Sequence, residues 1–434
     1  MVYDRKNYQV LSKLCNSVDS SLSSRPPYCA GTCPIPPEKL VLFYGNDSSK
    51  VSRIDFSSPT PEELDSLSNA CQPASFGVNH ERVHHESYRK AGEMNIASFA
   101  TRFSARNAGL ILTVRQELLD CNENRDIKVE LYKLNVYGKD SFFKAHKDTP
   151  RHETMFGSLV VIFPTHHEGG EFVLREGYRE WSLDFAKMLS DSPHRPCVGY
   201  VAFFSDVEHE VRQVTSGHRV TLTYNLYLTP ESQAPIKTIS APAPYEGSLA
   251  APLYTLLTDP TVLPKGGYLA FGLRRHYPLG EGINVTNYKT CLTGTDAALG
   301  RVLTTLGVDW NVMVFYRNVG SYNDYMSEEV VNLSKEPHDI YDFDEAMGEA
   351  AVLVEFASVD GIPRVRRHPN AETPPRHFAK VTVDTMTCWS SPYVMSGHYK
   401  AEVGELNAEV YIVVDLQEPV KRVVRKADSM EVGA

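Results

Sequence analysis

From residue 127 onward the chain alternates short runs rich in Val, Tyr, Phe and Thr with Gly, Pro and polar turns, a texture that predicts consecutive strands. The runs fall at 127–137 (IKVELYKLNVY), 142–148 (FFKAHKD), 157–164, 170–176, 197–205, 209–215 and 218–228. Upstream the period lengthens. PTPEELDSLSNAC (59–71) opens on Thr-Pro-Glu-Glu, which suits a helix whose first-turn acids face the positive end of the dipole. AGLILTVRQELLDC (108–121) puts Leu110, Val114, Leu118 and Leu119 near one helical face. Before both, PPYCAGTCPIPPEK reads as an irregular divider, with its cysteines as loop thiols. Beyond a Pro- and Ala-rich stretch, 266–273 and 408–416 predict strands, and 296–307 predicts a helix ending at Gly307.

These elements predict an α+β chain. Residues 1–100 form a helical and irregular region that packs on the core. Residues 101–228 form a jelly roll (double-stranded β-helix), because seven or eight short strands are what that fold requires. Residues 229–247 form a linker, 248–420 a second domain of α+β or degenerate jelly-roll construction, and 421–434 a tail. A chain of 434 residues is long enough for two or three such units.

Composition narrows the functional classes. Forty-four basic residues stand against 54 acidic ones, a net charge of −10. This argues against a general nucleic-acid binder, whose affinity rests on excess Lys and Arg. The first 25 residues contain no apolar core of the signal-peptide kind, and no run is long enough to cross a bilayer. The expectation is a soluble, intracellular protein, cytoplasmic or nuclear, with no membrane partner. Eight cysteines form no paired CxxC sets, so neither a zinc site nor a dense disulfide framework is indicated.

Two candidate ligands share one segment. His146 and Asp148 lie two apart in an extended stretch, where the period of two turns both side chains to one face. Alone this is weak, since a chain of this composition yields roughly one His-x-Asp by chance. His209 adds to it. A jelly roll folds distant strands side by side, so His209 can complete a two-His, one-carboxylate face that leaves three positions of an octahedral metal open, the pattern of non-haem Fe(II) oxygenases. Zinc would prefer a tetrahedral site. Arg219, ten residues after His209, tips the choice to iron.

His-x-Asp, a later His and an Arg ten residues beyond it resemble the 2-oxoglutarate oxygenase superfamily. More closely, YGKDSFFKAHKD (137–148), HHEGGEFVL (166–174) and EHEVRQVTSGHRVTLTYNL (208–226) resemble the prolyl 4-hydroxylase-type catalytic domain. The resemblance implies Fe(II) as cofactor, 2-oxoglutarate and O2 as cosubstrates, and room for ascorbate. It implies that Arg219 binds the far carboxylate of 2-oxoglutarate through two parallel hydrogen bonds. Tyr137, nine residues before His146, falls where the family commonly has a tyrosine near the cosubstrate, and Thr221 shares the strand face of Arg219. Phe143 stands where the family often has tyrosine, so a hydrogen bond from there is lost. Family members that halogenate replace the ligand carboxylate with a small residue, so Asp148 implies hydroxylation.

Arg151 and Arg212 flank the centre in sequence as candidate substrate contacts, with surface ion pairing as the plainer role. His166 and His167 are expected in a solvent-exposed turn. The expected activity is hydroxylation of a prolyl or other peptidyl C–H bond, releasing succinate and CO2. A small-molecule oxygenase with the same centre and a non-catalytic metal-binding jelly-roll module are the alternatives. Substrate identity and oligomeric state are not legible in the sequence.

Overall fold

The computed structural model describes residues 5–47, 50–78, 81–83, 85–119, 126–148, 152, 154–192, 196–229, 244–319, 323–331, 352–359, 361, 376–382, 385–396 and 401–425. Two compact units result: Pro26–Ser240, and Met1–Arg25 together with Ala241–Ala434.

Two antiparallel sheets build the Pro26–Ser240 unit. The larger runs in the order Tyr28–Pro34, Cys197–Phe204, Met155–Ile162, Arg219–Leu228, Ile127–Tyr137, Gly92–Asn95, Gln72–Pro73. The smaller runs Arg179–Leu183, Phe172–Glu176, Glu208–Val211, Phe142–His146, Arg89–Lys90. Met155–Ile162 and Cys197–Phe204 are buried at every position. That is why they read as unbroken apolar runs: a strand covered on both faces has no polar side to show. The helix predicted at 59–71 is Pro61–Asn69, with Thr60 Oγ1 accepting from Glu63 N and Glu63 Oε2 accepting from Thr60 N in a reciprocal cap. The helix predicted at 108–121 is Leu110–Glu117, and Leu110, Val114, Leu118 and Leu119 are all buried.

Four expectations change. Phe142–His146 ends two residues early, so Asp148 lies beyond the strand rather than in it. The run at 209–215 divides into Glu208–Val211 and Val214–Gly217, the latter paired with His167–Gly169 outside both large sheets. The CAGTC stretch is strand, Tyr28–Pro34, with neither Cys29 nor Cys33 in a disulfide. Finally, residues 1–100 do not stay together. The helix Arg5–Ser23 buries Leu11, Cys15, Val18 and Leu22 in one core with Leu249, Leu253, Leu256 and other residues of the second unit. Their spacing of three and four residues is a helical stripe, hidden within a segment that also alternates polar and apolar residues.

The second unit contains a seven-stranded sheet, and Gly267–Gly272 pairs with both Arg376–Lys380 and Ala401–Leu416, which closes the sheet on itself. Two of its pairings are parallel, and helices Arg5–Ser23, Pro244–Thr258 and Gly294–Thr305 belong to the unit, an α+β construction. Most of the expected linker, residues 230–243, and most of the expected tail, residues 426–434, lie outside the described residues. No helix among the described residues is long and apolar enough to cross a membrane.

Candidate metal centre

The pairing of Phe142–His146 with Glu208–Val211 sets His146 directly opposite His209, ring centroids 4.2 Å apart. Just past the strand end, Asp148 brings Oδ1 to 3.8 Å from His209 Nε2. One ligand atom from each of the three residues lies within 4.8 Å of the others.

Both imidazoles are held in the same way. Nδ1 of His146 is 2.8 Å from the Lys144 carbonyl oxygen, and Nδ1 of His209 is 3.1 Å from that of Val207. A carbonyl can only accept, so each Nδ1 carries the hydrogen and donates it, which puts the lone pair of the neutral ring on Nε2. Such backbone partners are what fixes the tautomer and ring direction of a metal-ligating histidine. Ser158 donates to Asp148 Oδ2 at 2.5 Å, leaving Oδ1 toward His209. Phe203 and Phe172 wall His209, with centroids 4.5 and 5.6 Å away. Phe143 stacks on His146 at 3.6 Å, and the Arg89 guanidinium lies over the Phe143 ring at 4.3 Å. Phe143 has therefore exchanged a hydroxyl for a flat support under the first histidine.

The charges follow from this geometry. Burial, reinforced by His209, holds His146 well below the usual imidazole range and so neutral. Burial alone would raise the Asp148 carboxyl, but the two imidazoles and the Ser158 hydrogen bond outweigh it and hold it below the usual range. A neutral His146 imidazole and an ionised Asp148 carboxylate are protonation states that suit a divalent ion.

Arg219 lies on the same face of the larger sheet as Ser158. Tyr137 is its direct cross-strand partner, Thr221 and Asn225 follow at even spacing, and Asn225 stands opposite Ser158. Arg219 is 1% exposed, and among the described residues its Nε and Nη2 have no hydrogen-bond partner. Burial pulls its pKa down to about 10, which still leaves it charged at neutral pH. The Tyr137 ring lies 5.5 Å from the guanidinium, and Thr221 is buried beside it in sequence. Burying an unpaired charge costs several kcal/mol, so this guanidinium fits an anion that arrives from solution. Gly170, at φ +70°, leaves the room Arg219 needs: a Cβ there would come within 3.1 Å of Arg219 Cδ and 2.8 Å of Val214 Cγ2.

Residues 132–227 match the family model described as the 2OG-Fe(II) oxygenase superfamily. They are a 2OG-Fe(II) oxygenase domain. The two-sheet unit described above is the jelly-roll core of that superfamily, and the matched segment carries all three candidate ligands, Tyr137, Thr221 and Arg219. No curated protein matches the chain. Among solved structures, a Pseudomonas putida prolyl-4-hydroxylase is similar at 17% identity, over 50% of this chain and 100% of its own, with a TM-score of 0.31. A Trichoplax adhaerens prolyl hydroxylase, solved with a hypoxia inducible factor oxygen degradation domain peptide fragment, is 14% identical over 52% of this chain and 94% of its own, TM-score 0.30. A viral collagen prolyl hydroxylase from Paramecium Bursaria Chlorella virus-1 is 12% identical over 39% of this chain and 92% of its own, TM-score 0.25.

The oxygenase domain thus gathers His146, Asp148 and His209 at one point and sets Tyr137, Thr221 and Arg219 on the adjoining sheet face. It does not bring Arg212 there. Arg212 pairs with Glu180 at 3.2 Å and Glu210 at 3.6 Å, and Glu210 alternates with His209 onto the opposite face of the smaller sheet. Arg151 lies outside the described residues. The exposed-turn expectation fails for His167, which is 4% exposed and begins the His167–Gly169 strand, whereas His166 is exposed. Sequence reasoning also passed over Ser158 and Gly170. The Gly169-Gly170 pair that follows His167 was the available signal, because paired glycines mark a close backbone approach.

Proposed function

We propose that this protein is an Fe(II)- and 2-oxoglutarate-dependent dioxygenase that hydroxylates a C–H bond of a prolyl or other peptidyl side chain, with succinate and CO2 as co-products. His146, Asp148 and His209 would hold the iron. Arg219 would bind the far carboxylate of 2-oxoglutarate, with Tyr137 and Thr221 lining the same pocket. The observation that carries this reading is the buried Arg219 guanidinium, whose Nε and Nη2 have no hydrogen-bond partner among the described residues, on the sheet face that leads to the triad. A metal site alone has no need of it.

Iron and 2-oxoglutarate supply the oxidising chemistry when bound, and the protein supplies position and electrostatics. Lys144 and Val207 carbonyls keep both Nε2 atoms free for coordination. Ser158 orients Asp148 so that one carboxylate oxygen faces the histidines. Arg219 anchors the cosubstrate at its far end, which sets the distance at which its other end meets the triad. The peptidyl substrate class rests on the sequence resemblance to prolyl 4-hydroxylase-type domains.

Anaerobic addition of Fe(II) and 2-oxoglutarate is expected to produce a visible metal-to-ligand charge-transfer band that His209→Ala abolishes. A missing band, or one unchanged by that substitution, would overturn the assignment. Succinate release measured against a peptide panel and a metabolite panel tests the substrate class, and stimulation by metabolites alone would remove the peptidyl reading.

A further inference from the structure

His167 is a buried imidazole that the preceding chemistry does not use. Its Nδ1 lies 2.9 Å from the Thr165 carbonyl oxygen, so that nitrogen carries a hydrogen and donates it. Among the described residues Nε2 has no hydrogen-bond partner. The ring carbon bonded to Nε2, Cδ2, lies beside Gly170: a Cβ on Gly170 would meet Arg219 Cδ at 3.1 Å and His167 Cδ2 at 3.8 Å. Two basic side chains therefore border the same glycine, one with Nε and Nη2 unpartnered and the other with Nε2 unpartnered.

We propose that His167 is the second cation of the Arg219 pocket: it takes up one proton when the cosubstrate's far carboxylate binds and donates Nε2–H to that carboxylate. The proposal rests on the reading of Arg219 as a carboxylate anchor. Its physical reason is the Thr165 carbonyl. A neutral imidazole could offer Nε2–H to an anion by changing tautomer, but Nδ1 would then turn a lone pair on the carbonyl oxygen. With Nδ1–H held in place, Nε2 can donate only from the imidazolium.

The charged groups around the ring set the direction of the change. Burial, then Arg219 at the start of the Arg219–Leu228 strand and His166 beside it in sequence, push His167 down, against the opposing pull of the Thr165 carbonyl and of Asp184 at the start of the Phe185–Asp191 helix. The net result is about 4, so His167 is neutral before the anion arrives. A carboxylate on Arg219 cancels the main charge acting against protonation and adds an attractive one. The bound state therefore has a raised pKa, so affinity falls as pH rises from the free-state value toward the bound-state value and levels off above it.

The test uses the full-length protein loaded with Mn(II) under nitrogen and titrated calorimetrically with 2-oxoglutarate in buffers of different ionisation heat, from pH 6 to 8.5. Preloading the metal keeps its ligands from titrating. The expected result is net uptake approaching one proton at the low end, with Kd rising toward tenfold per pH unit below the bound-state pKa and levelling off, with uptake falling to zero, above it. His167→Gln is expected to bind with no proton uptake and a Kd that does not vary with pH. Binding by the wild-type protein with no proton uptake anywhere in the range overturns the role of His167, whether or not the variant folds. Absence of any 2-oxoglutarate binding by the Mn(II)-loaded wild type overturns instead the reading of Arg219, and the proposal with it.

Discussion

Arg219 is among the largest side chains buried to within 2% of full exclusion, and it is the one that carries a charge. An arginine in that position destabilises the empty protein, since desolvation of the guanidinium is not offset by a partner. Arg219→Met is therefore expected to stabilise the ligand-free protein by ~1–4 kcal/mol, the range seen when buried charges give way to apolar residues of similar volume. The same substitution is expected to remove the thermal stabilisation that 2-oxoglutarate gives with Mn(II). Scanning calorimetry with and without the cosubstrate reads both effects, and a variant less stable than wild type when empty would show that Arg219 has a structural partner. Other single residues were readable before folding. His146, Asp148, His209 and Arg219 announce themselves by chemistry and spacing, whereas Ser158 and His167 do not, because a serine in an apolar strand and a histidine beside a glycine pair carry no sign of which way they point.

At the scale of elements, the site depends on where strands stop. Phe142–His146 ends at its candidate ligand His146, and Asp148 reaches the two histidines from the following segment, held by Ser158 of a strand in the opposite sheet. One residue beyond the short His167–Gly169 strand the chain passes Arg219 at Gly170, whose positive φ and missing Cβ both matter. Gly170→Ala is expected to strain the backbone by about 1–2 kcal/mol and to push Val214 and Arg219 aside. The result should be a 2-oxoglutarate Kd raised roughly tenfold, about 1.4 kcal/mol, with Mn(II) affinity unchanged. Paired titrations of metal and cosubstrate check this, and a loss confined to the metal would place the glycine's role elsewhere. The strands at 127–137, 197–205 and 218–228 were legible almost to the residue from their β-branched and aromatic runs. The split of 209–215 was not, because nothing in EHEVRQVTSG marks the point at which a strand changes partner.

For the whole molecule, each unit has its own hydrophobic core, and their titrating groups pull in opposite directions. In the oxygenase unit, burial holds His167 near 4, below an ordinary histidine near ~6.5. The unfolded chain takes up the proton first, so stability is lost as pH falls from about 6.5 toward 4, by up to ~3 kcal/mol. In the other unit, burial raises Asp296 to about 6 against the opposing pull of Arg274 N, Arg275 and Tyr277. There the folded state binds the proton more tightly, so stability rises as pH falls through 6 and is lost as pH climbs back. Calorimetry of the ligand-free protein between pH 7 and 5 is expected to lower the transition that Mn(II) and 2-oxoglutarate raise, while the other transition does not fall. Parallel decline of both would contradict the assignment of these two groups.

The chain's own order of residues was enough to specify its strands, its capped helix, the identity of the three metal-binding candidates and the arginine ten residues after the last of them. These depend on local spacing and side-chain chemistry, which persist in any conformation. Three things waited for the tertiary structure. Arg5–Ser23 left the neighbouring region for a core built from residues beyond 240, because an amphipathic stripe shows that a helix will be buried and not against what. Arg212 pairs with Glu180 and Glu210 instead of joining the candidate ligands, and His167 is buried rather than exposed. Both lie within a few residues of the ligands in pairing, and only the packing of one sheet on another decides which side chains share their face.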